Sequence, residues 1–233
     1  MSTIVVTARL IPRYGALSTP IINEPGPQQG GFYENQATPF EFEAPPTDGS
    51  YQPPPAVLIE PVTLIPADVQ AAINRLSIAI NRIDTLLKNV DAFRAVSTND
   101  GRVLTIDQIY TNWLNLSFLI TFNQTFRPGF GGEVRGSRDI GWQSRMDRNT
   151  LVGYDRNLNG LVFVTIHELG HTTQESVEYL QSQYDAFLGR GGIDSEWSFS
   201  PEFADTERYA NDIVRDILNI LGLPVMANPT HGY

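Results

Sequence analysis

From Pro66 onward, apolar residues recur at alternating spacings of four and three: Val69, Ile73, Leu76, Ile80, Ile83, Leu87 and Val90. That rhythm lines one face of a helix. Ala72, Ala79, Leu86 and Phe93 widen the stripe, and the pattern predicts a helix over 67–94 that stops before the turn sequence Ser97-Thr98-Asn99-Asp100-Gly101. A second stripe runs Phe203, Ala210, Val214, Ile217 and Leu221. Ser200 as N-cap, Pro201 at the first helical position, and Gly222 and Pro224 beyond the end frame it as a helix. Between the two, Asp107–Leu116 reads as a helix and Leu116–Phe122, rich in Phe, Leu and Ile, as a strand; Thr3–Thr7 adds a short strand near the start. Arg127–Gly136 carries four glycines without the Lys-Ser/Thr ending of a phosphate loop and reads as a plain loop. The six arginines from Arg127 to Arg156 alternate with acids, the pattern of a salt-bridged surface.

Proline divides the chain. Twelve of the 16 prolines fall in residues 1–66, and proline neither propagates a helix nor pairs in a central strand. The reading is therefore an extended Pro/Gly-rich leader or arm over 1–65 and one folded domain over 66–233. The heptad-like stripe of helix 67–94 spans only about three heptads, so packing within the domain is preferred to self-association through that seam.

Composition narrows the function. At 233 residues and 41% hydrophobic the chain is long enough to build one real core. Its formal charge of -10 argues against nucleic acid, which needs clustered positive charge. The lack of cysteine excludes disulfides, thiolate metal sites and a Cys nucleophile. No apolar run approaches the ~18–20 residues of a membrane span. The first residues lack the basic and apolar regions of a conventional signal peptide, which leaves the cytoplasm or export by a non-classical route.

Only three histidines exist, and two of them stand in Ile166-His167-Glu168-Leu169-Gly170-His171. Four residues apart on a helix, both imidazoles lie on one face, one turn apart, and can reach a single metal ion. Glu168 projects beside the ion, where a base takes a proton from activated water. A hydrolytic zinc site needs three protein ligands and an open position. Metzincin spacing would require Gly and His where Gln174 and Val177 stand, so the third ligand must come from farther on. Glu207 falls within the apolar stripe of the last helix, where an unpaired carboxylate is costly and a divalent cation compensates it. His231 is the alternative third ligand, or a donor to the oxyanion. Asp155, Asn157 and Asn159 have the alternate-position oxygens of a calcium loop, but Ile166 stands where the bidentate Glu belongs, and a plain turn is the preferred reading.

With Glu207-Arg-Tyr-Ala-Asn211-Asp212 downstream, His167-Glu168-Leu-Gly-His171 resembles the gluzincin class of zinc metallopeptidases over roughly residues 161–222. The resemblance implies an α+β, zincin-like domain: a small twisted sheet on the motif helix and a helical C-terminal half. It implies one zinc ion on His167, His171 and Glu207, Glu168 as general base, and Asn211 or Asp212 orienting the first histidine. The activity implied is endopeptidase cleavage of a protein or peptide, compatible with an exported effector or toxin. The reading from another class is a non-catalytic binding or structural protein of a secreted or viral assembly that keeps the scaffold.

Overall fold

The computed structural model describes residues 5–6, 52–98, 100–123, 132–155 and 158–225. In chain order the elements are β1 (Val5–Val6), β2 (Ala56–Ile59), α1 (Ala67–Asn89), β3 (Ala95–Ser97), β4 (Val103–Thr105), α2 (Ile106–Leu114), β5 (Leu116–Thr121), β6 (Gly132–Ser137), β7 (Gly141–Asp147), α3 (Arg148–Asp155), α4 (Leu158–His171), α5 (Gln174–Gly189), a 3-10 turn (Asp194–Phe199) and α6 (Pro201–Ile220). This is the α+β class expected. Five strands form one mixed sheet in the order β1-β6-β7-β5-β2, and β3 and β4 pair separately. No described helix is long and apolar enough to cross a membrane.

The α1 stripe is buried as its spacing requires: Val69, Ile73, Leu76, Ile80, Ile83 and Leu87 all lie in the core. The face that would have served a dimer seam is thus consumed inside the domain, so self-association of helix 67–94 through it is not supported. The helix is also shorter than its pattern. The Asp91 carboxylate accepts from the Phe93 amide at 3.0 Å, an Asx turn that competes with helix, and Phe93 ends 85% exposed. Within the stripe Asp84 is buried too, accepting from Trp113 Nε1 at 3.1 Å and from Lys88 at 2.7 Å.

Two further expectations need correction. The glycine-rich loop reading of Arg127–Gly136 fails over its last part, because Gly132–Ser137 is a strand antiparallel to β7. Glu133 there opposes Arg145 and pairs with it at 3.0 Å, and Val134 is buried, so cross-strand contacts outweigh the poor strand preference of glycine. Residues 124–131 lie outside the described residues. The second correction concerns Ala56–Ile59, inside the stretch read as leader, which runs parallel to β5 as a sheet strand. Just beyond it, Glu60 accepts from the amides of Phe122 at 2.6 Å and Asn123 at 3.0 Å, bonds that hold its carboxyl below the usual range. Described residues from Pro53 onward, with β1, belong to one compact unit.

Deleting residues 1–64 is therefore expected to lower the unfolding midpoint relative to deleting 1–52. If the lost strand pairing is worth about 2 kcal/mol, the difference is roughly 4–8 °C for a domain of this size. Calorimetry on the two shortened chains checks this; equal midpoints would restore the boundary at Ile65.

Candidate metal centre

The segment Leu158–His171 is apolar on nearly every side, and a helix of that kind belongs in the middle of a core. Accordingly α4 packs against α1, α3 and α6. Gly170 lets α6 approach: a Cβ at that position would lie 2.9 Å from Val214 Cγ2 and 3.3 Å from the Ala210 carbonyl oxygen. On α6, Ser200 caps the first turn by accepting from the Phe203 amide at 3.1 Å. The helix then turns its stripe, Glu207 included, onto α4.

The two histidines meet there. His167 Nε2 and His171 Nε2 lie 3.1 Å apart, with the rings nearly perpendicular. Glu207 closes the triangle, its Oε2 at 3.5 Å from His167 Nε2 and its Oε1 at 3.7 Å from His171 Nε2. Ligand atoms of these three buried residues all fall within 4.8 Å of one another. Nitrogen and oxygen ligands held about 2.0–2.2 Å from a tetrahedral ion sit about 3.3–3.6 Å apart, so the spacing suits a single cation. The group can hold a metal ion. Two imidazoles and one carboxylate are a donor set for a divalent transition metal rather than for calcium or magnesium.

The surroundings orient the donors. His167 Nδ1 lies 3.1 Å from Asn211 Oδ1. An amide oxygen only accepts, so this contact places the proton on Nδ1 and leaves the Nε2 lone pair for an ion. Asp212 instead pairs with Arg215 at 2.9 Å, so Asn211 is the orienting residue of the two candidates. The Phe163 ring stacks on that of His167. Replacing Asn211 with Ala is expected to weaken metal binding by roughly 10–100-fold while leaving the helical content unchanged. A competition titration with a chromogenic chelator measures this; unaltered affinity would remove Asn211 from the centre.

Charge at the site is set by burial. Desolvation pushes the Glu207 carboxyl up, but the electrostatic pull of His171 and the hydrogen bonds offered by His167 and His171 outweigh it and hold the group below the carboxylate range. At Glu168 burial wins instead. It is fully buried, and neither of its oxygens has a hydrogen-bond partner among the described residues. Burial pushes its carboxyl up to about 7 against the lowering effect of His167, with Glu207 adding to the rise. Ser144 on β7, also buried, favours the ionised form from nearby, although no well-aligned hydrogen bond joins them. Sequence reasoning missed Ser144; the alternation Trp142, Ser144, Met146 in a strand was the available signal.

Other candidates fall elsewhere. Asp155 pairs with Arg75, Asn159 sits in the first turn of α4, and Asn157 lies outside the described residues. Tyr209 stacks on Tyr179 and donates to Asp100 Oδ1 at 3.0 Å; burial pushes its hydroxyl up to about 12. Glu202 pairs with Arg190, which closes α5, and Asp205 pairs with Arg208. His231 lies outside the described residues. The chain matches no protein-family model, no curated protein and no solved structure.

Proposed function

We propose that the chain is a zinc-dependent endopeptidase of gluzincin type, with His167, His171 and Glu207 as ligands and Glu168 as general base. The observation that carries the proposal is Glu168: a fully buried carboxylate with no hydrogen-bond partner among the described residues, next to a three-donor metal group. A structural metal site has no use for such a group, and burying it otherwise only costs stability. When bound, the ion supplies Lewis acidity, polarising a carbonyl and acidifying water. Glu168 then accepts the proton of the attacking water and returns it to the leaving amine. With no hydrogen-bond partner among the described residues to compete for it, the carboxylate is free to take that proton and to give it back. Asn211 keeps the His167 ring in the tautomer that binds through Nε2. The zincin-like arrangement belongs to the same proposal: a small sheet beside the motif helix α4 and the glutamate supplied by α6.

The non-catalytic scaffold has one observation in its favour. His167, Glu168, His171 and Glu207 are each at most 5% exposed, the depth of a structural metal site. Metal removal separates the two readings. Stripping with a chelator is expected to abolish cleavage of a broad protein and peptide panel, and stoichiometric zinc to restore it. Cleavage that survives stripping would exclude the metal from the reaction.

A further inference from the structure

Side chains alternate along β7, and Ser144 falls on the buried face between Trp142 and Met146. Its cross-strand partners are Phe118 on β5 and Val134 on β6, both fully buried. Every other position of these three strands on that face is hydrophobic or glycine. Ser144 itself is 0% exposed, and its Oγ has no hydrogen-bond partner among the described residues. A buried hydroxyl without a partner costs stability, and alanine would serve the packing as well without that cost.

Glu168 is in the same condition, 0% exposed with both carboxylate oxygens unmet. The two side chains are neighbours, close enough for the serine hydroxyl to favour the ionised carboxylate. A hydroxyl can donate and an ionised carboxylate only accepts, so the pair is complementary. Rotation about the serine Cα–Cβ bond aims the O–H without moving the strand. Catalytic hydrogen bonds are often poorly aligned before substrate binds and tighten in its complex. The support is firm, because β7 is paired on both sides, by β5 and by β6.

We propose that Ser144 is the positioning residue of Glu168: its O–H donates to one carboxylate oxygen and leaves the other directed at the attacking water. The inference rests on the peptidase reading above for its role, but the contact between the two side chains does not. Ser144 keeps its own proton throughout, and the free oxygen of Glu168 takes the proton of the water and returns it to the leaving amine. A donor held by the sheet stops the carboxylate from rotating on its helix, so the accepting oxygen is already in place when substrate arrives.

The test is a double-mutant cycle between Ser144→Ala and Glu168→Gln in the intact, zinc-loaded chain, read by steady-state kinetics and by thermal unfolding. Ser144→Ala is expected to lower kcat by roughly 10–100-fold, the value of a hydrogen bond to a charged group, with KM and zinc content unchanged. In the Glu168→Gln background the same substitution should lower kcat no further. The effect of Ser144→Ala on the unfolding midpoint should differ between the two backgrounds by about 2–4 °C, because an amide accepts more weakly than a carboxylate. Ser144→Thr keeps the hydroxyl and should recover most of kcat; Ser144→Cys, a weak donor, should fall between and serves if the threonine variant fails to fold. An unchanged kcat in Ser144→Ala, a loss of kcat that travels with loss of zinc, or additive midpoints overturns the inference and leaves the peptidase. Coupled midpoints in a wild-type chain that cleaves no peptide remove the peptidase reading, and the positioning role with it, and leave a structural contact.

Discussion

Glu168→Gln is expected to retain its zinc and to lose hydrolysis by roughly 10²–10⁴-fold, the usual contribution of a general base. The substitution keeps the volume of a side chain that is fully buried, so the core around α4 stays filled. It removes the one oxygen charge that can take up a proton and leaves His167, His171 and Glu207 untouched. It also relieves the burial of an ionisable group without a hydrogen-bond partner, so thermal stability should stay level or rise while activity falls. That opposite movement separates loss of a base from loss of fold. The zinc content of the same sample is the necessary companion measurement, because loss of the ion would imitate loss of the base. A wild-type chain that cleaves, matched by a variant that cleaves equally well, would rule out Glu168 as the base.

Glu207→Ala should weaken zinc binding by more than the roughly 10–100-fold that removal of an orienting partner costs, since it removes a ligand outright. Among the described residues the buried imidazoles would keep each other and Asn211 as hydrogen-bond partners. Glu207→Gln is the gentler partner experiment, preserving volume but replacing the charged donor with a weaker neutral one. Because zinc binds the folded form, the wild-type unfolding midpoint should climb with zinc concentration and that of Glu207→Ala should not. Glu202→Ala and Asp205→Ala are the controls; their carboxylates pair with Arg190, just beyond α5, and with Arg208 on α6, and should leave zinc content unaltered. Full zinc retention in Glu207→Ala would transfer the third-ligand role to His231.

Much of this molecule could be read from periodicity. The alternating spacings of four and three in α1 and α6 fixed both helices and their buried faces, because helical geometry alone decides which side chains share a stripe. The same rule set His167 and His171 on one side of α4, and it marked Glu207 as an acid on a buried face. These are local consequences of 3.6 residues per turn, and one chain carries them without reference to any other segment.

Pairing between distant segments was not legible in that way. A strand's place depends on the partner that satisfies its backbone groups, and Ala56–Ile59 became a strand because β5, some sixty residues later, offered its edge. Gly132–Ser137 likewise needed the Glu133–Arg145 contact across the sheet to offset its glycines. At the metal centre, sequence proposed two orienting residues for His167, and only the rotation of α6 against α4 assigned the role to Asn211 while turning Asp212 to Arg215. The sequence by itself determined α1, α2, the motif helix α4 and α6, the buried faces of α1 and α6, and the three candidate donors, while α3 and α5 carried no such signal. Tertiary packing decided that the donors converge and that Glu168 lies fully buried beside them, because both require distances between segments that no local spacing encodes.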